Sequence, residues 1–261
     1  MQLTTSGGAP PERSDTAVAL KSRTQTAILT GAFIAAGIFN PASAKDRPPI
    51  NSIGIVSDIG DKVALQHIGF MVFSNSLTVQ NVPDWAIDAH IAAALSEGLQ
   101  SRYTLRGVDF PRGGIAPDLG GFLNDPSPED NMRAKAKPTD GQPIDAYLVV
   151  WPLRREVYPT NQRVEGIGLL TQGSTARLFM SVRVSLLSGQ NFEEIDTCLA
   201  RARDVSFWNP DASYMTDIKG FDDIETFDAM TPEQKQTMQS GLKEMLTAGM
   251  AYCLKDLKLV E

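Results

Sequence analysis

The stretch Ala176–Leu187, ARLFMSVRVSLL, decides the fold. Leu178, Met180, Val182, Val184 and Leu186 alternate with Arg177, Ser181, Arg183 and Ser185. A period of two is that of a strand, here with one dry face and one semi-polar face. Ser188-Gly189-Gln190-Asn191 follows and reads as a hairpin turn with glycine at its first central position. That register sets Arg183 opposite Asp196 and Ser181 opposite Cys198, and carries the returning strand to about Ala202. Just upstream, GIGLLTQ (166–172) continues the sheet. IDAYLVVWP (144–152) is unbroken and apolar, the mark of a strand covered on both faces.

Towards the N-terminus, SIGIVSD (52–58) and KVALQHIGFMVF (62–73) flank Ile59-Gly60, with Asp58 and Asp61 on either side. Two β-rich runs around such a turn predict an antiparallel hairpin. Pro83-Asp84 opens a helix over roughly 85–101 with Asp84 as its N-cap, and YTLRGVDF (103–110) reads as a further strand. Near the other end, Thr231-Pro232-Glu233-Gln234 is a strong helix start, with threonine as cap, proline in the first turn and glutamine completing a capping box. Met238, Leu242, Met245, Leu246, Gly249 and Cys253 form that helix's apolar stripe, to about Lys255. Residues 110–143 and 205–230 are irregular. The expected fold class is α+β, a single, mostly antiparallel sheet of six or seven strands with two long helices packed on it.

Compartment is read from Lys21–Ala44, KSRTQTAILTGAFIAAGIFNPASA. Two cations precede an apolar run from Ala27 to Phe39, then Asn-Pro and the small residues Ala42-Ser43-Ala44. These are the three parts of a secretory signal peptide. The run is shorter than the roughly 20 residues that a permanent membrane span needs. Cleavage between Ala44 and Lys45 is therefore expected. Residues 1–44 leave as a signal peptide with a long polar extension, and 45–261 remain as one exported, periplasmic domain with no permanent span. A net charge of −7 repels phosphate backbones and anionic lipids, so a nucleic-acid role is not expected.

Reactive chemistry is sparse. Of the two histidines, His67 lies on an apolar strand face and His90 on the flank of the first helix's stripe. There is no HExxH, CxxC or GxSxG, and Ser240-x-x-Lys243 sits mid-helix without its usual companion motifs. Asp222, Asp223, Glu225 and Asp228 cluster, yet not at the spacing of a calcium loop. No catalytic, metal or cofactor residue is assigned. Cys198 and Cys253 are the only cysteines, and export puts them in an oxidising space. Two readings stay open: a disulfide, or two buried thiols, because the hairpin register places Cys198 on the semi-polar face and Cys253 on a core-facing stripe.

The run SIGIVSDIGDKVALQHIGFMVFSN (52–75), followed by VPDWAIDAHIAAAL (82–95), resembles a family of uncharacterised exported bacterial proteins. In architecture, RYTLRGVDF, DAYLVVWPLR, GIGLL and ARLFMSVRVSLLSGQ resemble small α+β envelope-assembly domains. Examples are the N-terminal domain of the Tol translocation protein and curli-secretion and synthase-activating lipoproteins. The resemblance implies an envelope setting and no particular activity. The leading expectation is a soluble, non-catalytic binding or envelope-assembly module whose partners are envelope proteins. Phe122, Trp208, Tyr214 and Phe221 are its candidate contacts. A periplasmic hydrolase with a dispersed active site and a small-ligand carrier are the alternatives. The mature protein recovered from cells is expected to begin at Lys45. Intact-mass measurement checks this, and a chain that keeps residues 1–44 would refute it.

Overall fold

The computed structural model describes residues 48–69, 75–116, 127–158, 160, 162–203, 213–222 and 224–261. The expected leader with its cleavage site at Ala44 and Lys45 lies outside the described residues, as do Phe122 and Trp208. The first strands are β1 (Ser52–Ser57), β2 (Lys62–Ile68) and β3 (Ser76–Asn81), followed by helix α1 (Ile87–Leu99). Then come β4 (Thr104–Arg106), β5 (Val108–Asp109), α2 (Pro128–Lys135) and β6 (Lys137–Pro138). The second half holds β7 (Ala146–Pro152), β8 (Arg154–Glu156), β9 (Arg163–Gln172), β10 (Thr175–Ser188), β11 (Glu194–Leu199), β12 (Met215–Asp217) and α3 (Pro232–Asp256).

The main sheet has ten strands, in the order β3-β2-β9-β10-β7-β1-β4, with β11 and β12 on β10 and β8 on β9. β5 and β6 form a separate ribbon. This corrects the expected six or seven mostly antiparallel strands with two long helices. The sheet is mixed, because β1 runs parallel to both β4 and β7 and β2 runs parallel to β9. There are three α-helices among the described residues. Alternation identifies a strand but is silent on its neighbour, so parallel pairs made across long connections escaped the sequence reading.

β10 is the pivot. Its first half pairs with β9 and β12, and its second half with β7 and β11. The change of partner falls at Ser181, which is fully buried. There its carbonyl accepts from Leu153 N at 2.9 Å and its hydroxyl donates to Leu153 O at 2.7 Å. One residue, through its carbonyl and its hydroxyl, thus satisfies both backbone groups of Leu153 at the point where the chain leaves β7. Gly166, with a φ of 68°, supplies the left-handed residue opposite this junction.

Two layers cover the sheet. On one face α1 and α3 pack on Ile53, Leu148, Val150, Met180, Val184 and their neighbours. On the other, Met132 of α2 and Ile115 cover Val56, Val149 and Trp151. A third cluster groups Ala64, Leu170 and Phe179 with Val157 and Tyr214. The capping box of α3 is present as expected, with Gln234 N donating to Thr231 Oγ1 and Thr231 N donating to Gln234 Oε1.

The hairpin after β10 differs from the expected one. Its loop closes between Ser188 and Glu193, and Phe192 adopts a φ of 60°. Arg183 therefore faces Leu199, and Val184 faces Cys198. This shift moves Cys198 onto the dry face, where α3 lies. The two readings left open for the cysteines resolve: Cys198 and Cys253 form a disulfide with a Cα–Cα distance of 5.5 Å. Both residues are buried. The bond closes a 55-residue separation, worth about 4 kcal/mol in the chain-entropy account. Replacing both cysteines with alanine is expected to lower the unfolding free energy by about that amount, read from urea midpoints, and a loss below ~1 kcal/mol would contradict it.

Candidate functional site

Three aspartates gather where β1 ends. Asp58, 1% exposed, accepts from the backbone N–H groups of Gly113 at 2.5 Å, Ile115 at 2.7 Å and Ala116 at 2.7 Å. Asp61 Oδ1 accepts from Ile87 N at 2.6 Å and so caps α1 from a distance. Asp84, the expected cap, instead lies in a 3₁₀ turn, Pro83–Trp85. Asp88, in the first turn of α1, accepts from Ser57 Oγ at 2.7 Å, Ile59 N at 3.0 Å and Gly60 N at 3.1 Å. These bonds hold the 58–61 turn against α1 and the 113–116 segment. They are why β1 and β2 do not close as the expected hairpin. Burial pushes the Asp88 carboxyl above the ordinary range, opposed by the bonds from Ser57 and Ile59. In chemical terms the trio is a set of anchors: each carboxylate accepts from at least one backbone N–H, Asp88 also from the Ser57 hydroxyl, and the second Asp61 oxygen faces Arg112.

Beside them, on the sheet face opposite α1 and α3, runs an open cleft of about 1270 Å³. Gly166, Ile167 and Phe179 line its floor near the β10 junction, and Arg112, Gln66 and Lys62 are among its polar walls. Its charges are largely matched within the domain: Arg154 pairs with Glu165 at 3.2 Å, and Arg112 approaches Asp61 at 3.7 Å. A small-ligand carrier calls for a closed apolar pocket, and this cleft is open with a mixed lining.

One wall of the cleft carries Leu77 and Val79, which are 61% and 58% exposed. They belong to β3, an edge strand that pairs with β2 alone among the described strands. The sequence reading missed β3 because SLTVQN is short and more polar than the flanking strands. Its signal is a local one: alternating Leu77 and Val79 in a stretch without charge, proline or glycine.

Two of the expected contact residues are interior. Tyr214 is buried, donating its hydroxyl to Glu156 O at 3.1 Å with the Arg155 guanidinium 4.7 Å above its ring. Phe221 is buried in the main core. Neither offers a contact surface, because the fold itself takes up both rings; Phe122 and Trp208 are outside the described residues. The histidines do not converge with the aspartates. His67 Nδ1 meets Thr171 Oγ1 at 2.9 Å, and His90 Nε2 meets Thr247 Oγ1 at 2.9 Å and Lys243 O at 3.1 Å. Among the described residues no group of three or more His, Cys, Asp or Glu is arranged to hold a metal ion. No described helix is long and apolar enough to cross a membrane.

No family model matches the chain, and no curated protein does. Among solved structures, the lipoprotein GNA1162 from Neisseria meningitidis aligns at 16% identity, over 57% of this chain and 78% of that one, with a TM-score of 0.22. A likeness that low carries neither fold nor function across.

The Asp88 carboxyl gives a pH signature. With its folded pKa raised, its contribution to stability is complete below the ordinary value of 3.8 and is withdrawn as pH rises through the raised value. Asp88→Asn is expected to remove that falling slope from the urea midpoint measured between acid and neutral pH. An unchanged slope would show that the Ser57 and Ile59 bonds offset burial completely.

Proposed function

We propose that this chain is an exported, non-catalytic binding module of the cell envelope, and that its contact surface is the β3 edge with the cleft beside it. The observation that carries the reading is the exposed pair Leu77 and Val79 on an uncharged edge strand. Such an edge offers a row of free backbone donors and acceptors to an incoming strand, and apolar side chains that gain from being covered. Export is supported by the Cys198–Cys253 bond, since disulfides persist in oxidising compartments, and by the Lys21–Ala44 leader pattern. The non-catalytic part rests on how the polar groups are used. The aspartates at the end of β1 accept from backbone donors, and both histidines bond to hydroxyl and carbonyl partners away from the cleft.

A photo-crosslinking residue placed at position 77 in the source cells is expected to yield a crosslinked species. The same residue at Glu244, on the exposed side of α3, should yield none. Equal capture at the two positions, or none at 77, would remove β3 as the contact surface.

A further inference from the structure

We infer that the strand received at this edge is β3 of a second copy of the chain, forming a two-fold antiparallel dimer; the inference rests on the edge being a contact surface. It follows from which backbone groups are free. Val82 N donates to Asp61 O at 2.7 Å, continuing the β2–β3 ladder in which Gln80 faces Val63 and Thr78 faces Leu65. In an antiparallel ladder the inward-bonding positions alternate, so Leu77, Val79 and Asn81 direct their N–H and C=O groups outward. The Asn81 carbonyl already accepts from Gln80 Nε2 at 3.1 Å. Among the described residues, Leu77 and Val79 remain as the free pair.

An isologous interface makes each residue meet its counterpart reciprocally. With the axis on Thr78, Leu77 of one copy lies directly opposite Val79 of the other, and each pair exchanges both of its free backbone bonds. The side chains agree with the backbone. Leu77 meets Val79 on the cleft face, while Thr78 meets Thr78 and Ser76 meets Gln80 on the other. Moving the axis to Leu77 sets Val79 against Asn75; moving it to Val79 sets Leu77 against Asn81. Axes between residues pair outward positions with inward ones. One register alone therefore satisfies both the hydrogen bonds and the apolar pairs.

Charge points the same way. A chain with net charge −7 repels its own copies, yet SLTVQN contributes no charge to the seam. It also lacks the lysine or proline that blunts an edge strand against self-association. Six residues bury less than the roughly 800 Å² per partner of a standard interface, so the dimer is reversible and dependent on concentration.

The test uses the exported protein. Thr78→Cys places two thiols at a non-hydrogen-bonded pair, about 4.5 Å apart at Cα, inside the disulfide range of about 4.4–6.8 Å. The native cysteines are already bonded to each other. Thr78→Cys should oxidise to a covalent dimer faster than Glu244→Cys by roughly tenfold or more, because a pre-formed pair raises the local thiol concentration. The unmodified protein should sediment as a monomer–dimer mixture that Leu77→Lys shifts to monomer; Leu77 is exposed, so this variant keeps its fold. Equal oxidation of the two cysteine variants, or a monomer at every concentration, overturns the inference. If position 77 then captures a different envelope protein in cells, the contact surface stands and only the identity of its partner falls. If it captures nothing, both readings fall.

Discussion

The structure depends on one strand serving four others. β10 is 14 residues long, and the sheet continues only because its two halves accept different partners. A change of partner within a buried strand leaves backbone groups at risk of burial without a hydrogen bond, at a cost of about 1–3 kcal/mol each. The Ser181 hydroxyl and carbonyl, both bonded to Leu153, remove that risk where β7 gives way to β8. The open cleft passes Gly166 beside this junction, and the sheet runs on from it through β9 and β2 to the edge at β3.

Carboxylates play an unusual part in the rest. Asp58, Asp61, Asp88 and Asp145 all accept from main-chain N–H groups far away in sequence. Asp145 is the clearest case: its Oδ2 accepts from Asn51 N and Ser52 N, both at 2.9 Å, while Ser52 Oγ accepts from Asp145 N. The two backbone donors hold this carboxyl below the ordinary range. The exchange fixes the register of the parallel strands β1 and β7 at their starts. Parallel neighbours have no tight turn between them to set register, so side chains take over the task.

This explains which parts of the fold were legible. The strands around 144–152 and 176–187 and the capping box at Thr231 are written in short-range patterns, and all three are present. What could not be read was recorded in distant pairs. Asp61 displaced Asp84 as the cap of α1, and Asp58 and Asp88 drew the 58–61 turn away from a hairpin. A loop longer than its glycine suggested moved Cys198 to the face that meets Cys253. The edge strand β3 escaped for another reason. Sequence reading looks for alternation that hides apolar groups, and here alternation exposes them.

The ends of the described domain carry one last consequence. Asn51 O accepts from Thr104 N, and the neighbouring Tyr103 donates its hydroxyl to Leu259 O at 3.2 Å. Entry and exit of the chain thus meet beside β4, at one extreme of the seven-strand path whose other extreme is β3. A short linker joining residue 48 to residue 261 would leave the topology intact, which makes the domain a good subject for circular permutation. It also gives the molecule a polarity: a tether fixed at either end holds it by the β4 side and turns the β3 side outward.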